Sequence, residues 1–133
     1  MPTGHINQWR HNRAFIAEIG PAYADWVVTA AFYTALHAID ALLKHDKVTR
    51  IVSHDSRNVT LATTARYKKI WLLYQPLYDL SRRIRYLANP LQWVPWDKLD
   101  SEVFRRYLYP LERSVQKLMG RGEELPPITL KTA

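Results

Sequence analysis

Three groups of residues have the types and spacing to do chemistry. Tyr33, His37 and Asp40 recur at helical spacing, so they share one face of a helix. A carboxylate one turn from an imidazole fixes its tautomer and raises its basicity, which makes His37 and Asp40 a candidate catalytic pair and Tyr33 a candidate cleft-lining residue. A buried histidine satisfied by Asp40 or by a neighbouring hydroxyl would give the same pattern. His54, Arg57 and Asn58 stand at the expected start of another helix, where free N–H groups and the positive dipole end favour phosphate. Arg57 and Asn58 would bind the phosphate and His54 would carry a proton; ordinary capping is the competing explanation. The run Ser81-Arg82-Arg83-Ile84-Arg85-Tyr86 brings Arg82 and Arg85 to one face with Tyr78 and Tyr86 near them. That is a phosphate clamp with aromatic faces for bases. It is equally what a structural ion pair from Arg82 or Arg85 to Asp25 or Asp40 would require.

The elements that must position these residues are all helices. Ala22–Lys44 is a long, mostly apolar run with Val28, Phe32, Ala35, Ile39 and Leu42 on one face and Trp26, Ala30, Tyr33, His37 and Asp40 on another. Such a segment is expected to be a central helix buried all round, and its polar stripe must then meet hydrogen-bonding partners. Before it, Gly4–Ile19 carries Ile6, Trp9, Arg13 and Ile16 as a partial stripe, ended by Gly20-Pro21. After a polar link with Ser53, Asp55 and Ser56 as alternative caps, Arg57–Leu87 shows a seam of Ile70, Leu73, Leu77, Leu80, Ile84 and Leu87, interrupted by Pro76, where a kink or break near Tyr74–Pro76 is expected. A Pro- and Trp-rich loop over Asn89–Asp97 leads to a last helix from Asp100 or Ser101 to about Met119, with a second kink at Pro110. Residues 1–120 read as one all-α bundle of four main helices, the third and fourth kinked. Residues 121–133 read as a mostly extended tail.

Composition narrows the function classes. A chain of 133 residues with 47% hydrophobic residues supports one folded domain. It contains no Cys, which removes disulfides and thiolate metal sites, and the five His show no metal-ligand spacing, so neither metal nor cofactor is expected. Glycine-rich phosphate loops and a GxSxG elbow are also missing. The N-terminal segment lacks the apolar core of a signal peptide, and Asp25, His37 and Asp40 interrupt the central helix as a membrane span, so a cytoplasmic protein without membrane contact is expected. The net charge of +7 is uneven: residues 50–88 hold six Arg and two Lys against Asp55 and Asp79. A segment of this kind favours RNA, DNA or nucleotides as partners.

The order AAFYTALHAIDALL, a polar link with His54, then a helical segment closing on SRRIRY, resembles the HEPN-domain proteins. Those small all-α domains carry a helix of the type A-x-Y-A-x-F/L-H-A-x-x-A-L-L, a His-containing turn and a later Arg-rich segment ending in Tyr. Asn12, Arg13, Phe15 and the stretch DWVVTAAFY are similar to one branch of them. The resemblance covers roughly residues 5–118. It implies a four-helix up-and-down bundle, a homodimer with its cleft at the dimer interface, association with RNA or nucleotides, and, in many members, metal-independent endoribonuclease activity or pairing with a small nucleotidyltransferase in toxin–antitoxin systems. In those members an Arg is followed after four to six residues by His. Here Arg50 and His54 are too close, and Arg57-Asn58 has Ala62 where the His would stand. The resemblance therefore implies either an RNA-binding or regulatory domain without that motif, or a nuclease in which His37 or His54 supplies the imidazole. In a purely protein-binding module, Trp93 and Trp96 would be the anchors.

Overall fold

Ile6, Trp9, Arg13 and Ile16, three or four residues apart, are the buried residues of the first helix, α1 (Thr3–Glu18). Gly20 ends this segment, and a single 3₁₀ turn (Pro21–Tyr23) reverses the chain into α2 (Ala24–His45). The computed structural model describes residues 3–86, 94–121 and 125–131. Of the expected loop over Asn89–Asp97, residues 89–93 lie outside the described residues, as do Leu87 and the Tyr86 side chain. Among those described, all regular structure is helical, arranged around α2, which packs against α1 and against the helices that follow in the chain.

The core follows from the apolar face of α2. Val28, Phe32, Ala35, Ile39 and Leu42 are fully buried, and Ile16, Leu61, Ile70, Tyr74, Leu77, Phe104, Leu108 and Leu111 close around them. The expectation that α2 is buried all round is corrected. Its second stripe is open to different depths: Trp26 is 57% exposed, Tyr33, His37 and Asp40 are half-buried, and only Ala30 is covered. The segment Pro21–His45 has the length and composition to cross a membrane, but 78% of its most apolar window is buried inside the protein.

The third helical region divides at a different place from the expected one. Ser53 caps α3 (His54–Thr63) in a reciprocal capping box with Ser56, settling the choice among Ser53, Asp55 and Ser56. The helix stops at Thr64, which is extended; a 3₁₀ turn (Ala65–Tyr67) follows, then α4 (Lys68–Tyr86). The chain stays helical across Pro76, whose missing N–H costs one bond without ending the element. At Thr64 the stop is anchored from outside: the Tyr67 hydroxyl donates to Asp46 at 2.5 Å and Arg66 pairs with the same carboxylate, tying the turn to the end of α2. Among the described residues five α-helices therefore stand where four main helices were expected.

The last helix begins as a π-helical segment (Asp100–Leu108) and tightens into α5 (Tyr109–Met119). Pro110 sits in the first turn of α5 and cannot donate to the preceding turn; the Tyr109 N–H reaches back five residues to Phe104 O, so the proline is accommodated by a wider winding. Glu112, 2% exposed, accepts from Arg13 at 2.5 and 2.6 Å and from Trp9 Nε1 at 2.7 Å. Burial pushes its carboxyl up against the opposing pull of Arg13 and Trp9. Residues 125–131 are not helical and lie along the bundle: Arg13 donates to Pro126 O, Ile128 N to Tyr109 Oη at 2.7 Å, and Trp96 Nε1 to Lys131 O at 2.9 Å. Trp96 is thus half-buried against its own chain and is not a free anchor.

Candidate functional site

Asp40 projects from α2 and Arg57 from the first turn of α3. Arg57 Nε and Nη2 donate to the two Asp40 oxygens at 2.7 and 2.9 Å. Arg57 is 8% exposed; burial opposes its charge, but the Asp40 hydrogen bonds and charge outweigh this and raise its pKa. Of the two carboxylates considered as partners for Arg82 or Arg85, Asp25 and Asp40, the second is bound by Arg57 instead. That makes Arg57 a clamp between α2 and α3, with its Nε–Nη2 edge occupied by Asp40. Tyr74, fully buried on α4, lies close enough for the pair's charges to act on it, yet its hydroxyl makes no hydrogen bond of ordinary geometry. Asn58 Oδ1 is also buried without a donor, so the carbonyl end of this side chain points inward.

His54 follows the Ser53 cap and sits between the rings of Phe32 (5.9 Å) and Tyr78 (5.8 Å). Its Nδ1 lies 3.3 Å from Arg57 Nη1. A guanidinium can only donate, so Nδ1 must accept and the neutral ring carries its proton on Nε2. Burial, then the nearby charges of Arg57 and Arg85, hold the pKa of His54 below its ordinary value. At neutral pH this histidine is an uncharged hydrogen-bond donor. A general base would need the lone pair that Arg57 already occupies.

His37 makes a different contact from the one expected. Its Nδ1 is 3.1 Å from Nδ1 of His5 on α1, with the rings 5.3 Å apart, and it donates no hydrogen bond to Asp40. One imidazole donates and the other accepts, so the pair cannot be doubly protonated and stay joined. Burial and the neighbouring His5 lower the pKa of His37, Asp40 opposes and Arg57 reinforces. The expected role of Asp40 in orienting His37 is accordingly not met.

The arginines at the end of α4 complete the site. Arg85 Nη1 donates to the Tyr33 hydroxyl at 3.0 Å, and its guanidinium carbon lies 5.6 Å from the Phe32 ring and 5.8 Å from the Tyr33 ring. Exposed Arg82 lies over the Tyr78 ring at 5.6 Å. Phe32 contacts Tyr33, His54, Tyr74 and Tyr78, and so is the hub that sequence reading assigned to the core alone. The structure thus gathers Tyr33, His54, Tyr78, Arg82 and Arg85 around Phe32, and sets His37 on the α1 side. His5 also escaped the sequence reading: a single histidine near the chain start carries no signal until α1 and α2 are known to run antiparallel.

The resulting face offers two cations held on aromatic rings and one neutral imidazole donor, a combination suited to a phosphate and a base. Among the described residues no group of three or more His, Asp or Glu could hold a metal ion. No family model, curated protein or solved structure matches the chain.

Proposed function

We propose that the chain is a HEPN-like helical domain that binds RNA or nucleotides through the face formed by Tyr33, His54, Tyr78, Arg82 and Arg85. The observation that carries this reading is the pair of stacked guanidinium groups, Arg85 on Phe32 and Tyr33 and Arg82 on Tyr78. Stacking orients these guanidinium groups on the ring faces, whereas the fork of Arg57 is held by a carboxylate. The uneven positive charge of residues 50–88 acts in the same direction. An up-and-down bundle with α1, α2, α4 and the π-helical segment joined to α5 as its four arms, and α3 folded back against α4, belongs to this reading. A homodimer, a nucleotidyltransferase partner of the toxin–antitoxin type and a cytoplasmic location belong to the same proposal.

Binding is favoured over cleavage by the protonation of His54. In a metal-independent nuclease the ribose 2′-hydroxyl would attack the adjacent phosphorus and the 5′-oxygen would leave, so a base must accept the 2′ proton. Arg57 engages the His54 Nδ1 lone pair that such a base would need, and His37 is joined to His5 on the α1 side, away from Arg82 and Arg85.

The test is fluorescence anisotropy of a labelled single-stranded RNA with the whole protein, titrated in salt. Affinity should fall steeply between about 50 and about 200 mM salt, with each lost phosphate contact removing about 0.7 from the logarithmic slope. Arg82→Ala and Arg85→Ala should each flatten it. A salt-independent affinity would overturn the proposal. Appearance of 2′,3′-cyclic phosphate ends, abolished by His54→Gln, would replace it with the nuclease reading.

A further inference from the structure

The half-buried stripe of α2 faces a matching stripe of α1. His5, Gln8, Asn12 and Phe15 recur every three or four residues along α1, beside its buried residues. Between this stripe and that of α2 lies a groove of about 360 Å³, lined by Gln8, Asn12, Phe15, Trp26, Tyr33 and His37 over a floor of Thr29 and Ala30. The size is that of a small-molecule site. Because the helices run antiparallel from the turn at Gly20-Pro21, Phe15 and Trp26 stand near that turn and the His5–His37 hydrogen bond closes the far end.

The chemistry of the lining is specific. Trp26 and Phe15 are 57% and 47% exposed, large aromatic faces with no ring partner among the described residues. Between them and the histidines stand two amides, Gln8 and Asn12, joined by a 2.8 Å hydrogen bond that leaves each with further donor or acceptor capacity. Flat apolar walls with amide edges beside them suit a planar heterocycle that stacks on its faces and hydrogen-bonds at its rim. Tyr33 belongs to both regions: its ring lines the groove and its hydroxyl accepts from Arg85.

We infer that the α1–α2 groove is a nucleobase subsite, in which a base lies against Trp26 and Phe15 while its phosphate reaches past Tyr33 to Arg85 and Arg82. This deepens the proposed RNA or nucleotide binding and rests on it. It also selects among ligands: a nucleotide with a base should bind far better than the sugar phosphate alone.

The experiment measures dissociation constants of the whole protein for adenosine 5′-monophosphate and for ribose 5-phosphate by calorimetry, with Trp26→Ala, Trp26→Phe and Arg82→Ala as variants. Trp26 is surface-exposed, so these changes leave the core intact, and circular dichroism melts check this. The mononucleotide should bind about tenfold or more tightly than ribose 5-phosphate; Trp26→Ala should erase that preference and Trp26→Phe should keep most of it. Arg82→Ala should weaken both ligands alike. If both ligands bind equally and Trp26→Ala changes neither, the base subsite is refuted while phosphate binding stands. If neither the nucleotide nor single-stranded RNA binds, both readings fall. If Trp26→Ala instead lowers the mass of an oligomer in light scattering and leaves the ligand preference unchanged, the groove is a protein interface and the inference is wrong.

Discussion

Arg57 spans the two oxygens of Asp40 at 2.7 and 2.9 Å, and by doing so joins the first turn of α3 to the middle of α2. The side chains are only 10% and 13% exposed, so both charges are largely withdrawn from water. Asp40→Asn should leave a buried guanidinium short of its counter-charge and destabilise the protein by about 3–5 kcal/mol. Replacing both partners, Asp40→Leu with Arg57→Met, should recover most of that loss, because an apolar pair leaves no orphaned charge. Urea denaturation of the single and double variants measures both. A single variant as stable as the parent would show that the pair does not hold α3 in place.

The two histidines make stability depend on pH in one direction. Burial, followed by His5 for His37 and by Arg57 for His54, lowers both folded-state values from 6.5. As pH falls through 6.5 the unfolded chain takes up protons first, so protonation favours unfolding. Stability should therefore be full above about pH 7 and decline from about 6.5 until each folded histidine is protonated. His37 faces His5, Asp40 and Arg57, and His54 faces Arg57, Arg85, Asp40 and Asp55, so no other histidine feeds His54. Chemical denaturation between about pH 5 and about pH 8 should show the slope. His37→Gln and His54→Gln should each reduce it, and an unchanged slope in both would assign it elsewhere.

Much of the architecture is readable in spacing alone, because burial imposes a 3.6-residue period on each helix. The stripe Ile6, Trp9, Arg13, Ile16 and the pair Ile70 and Leu77 are buried as their positions dictate. Long-range contacts leave no such imprint. His5 and His37 are 32 residues apart, and the partner of Asp40 could have been any of several arginines until α3 was placed. The break at Thr64 is similarly silent: it depends on Asp46 holding Arg66 and Tyr67, while the visible local signal, Pro76, stays within a helix. Phe32 reads as core because it is core; that it also carries His54 and Arg85 on its rim is a property of three helices at once.

Two helix ends use the same geometry with different residues. After α5, Gly120 adopts φ 69° and the Arg121 N–H bonds to Gln116 O at 2.9 Å; after α2, Lys47 adopts φ 62° and the Val48 N–H bonds to Leu43 O at 2.9 Å. Both are left-handed closures in which the following N–H reaches back five residues. A side chain in that conformation costs about 1–2 kcal/mol, which glycine avoids at some entropic cost of its own. Lys47→Gly should raise stability by about 1 kcal/mol, seen as a higher urea midpoint at unchanged slope. A lower midpoint would mean that the lysine side chain contributes more than its backbone strain removes.

The last prediction separates charge from orientation at the α4 arginines. Arg85 is stacked on Phe32 and Tyr33 and donates to the Tyr33 hydroxyl at 3.0 Å. Tyr33→Phe keeps the ring and removes only the hydrogen bond, so the guanidinium stays near but is less fixed. RNA affinity should fall by a few-fold, equivalent to about 1 kcal/mol. Arg85→Lys keeps the charge but loses the planar fork and the stacking, and should cost more than Tyr33→Phe while leaving the salt slope nearly unchanged. Arg85→Ala should lower both the affinity and the slope. The three variants therefore form a series: loss of orientation, loss of shape, loss of charge. Anisotropy titrations at two salt concentrations resolve it. If Arg85→Lys binds as tightly as the parent, any cation at this position suffices and the stacked geometry has no part in recognition.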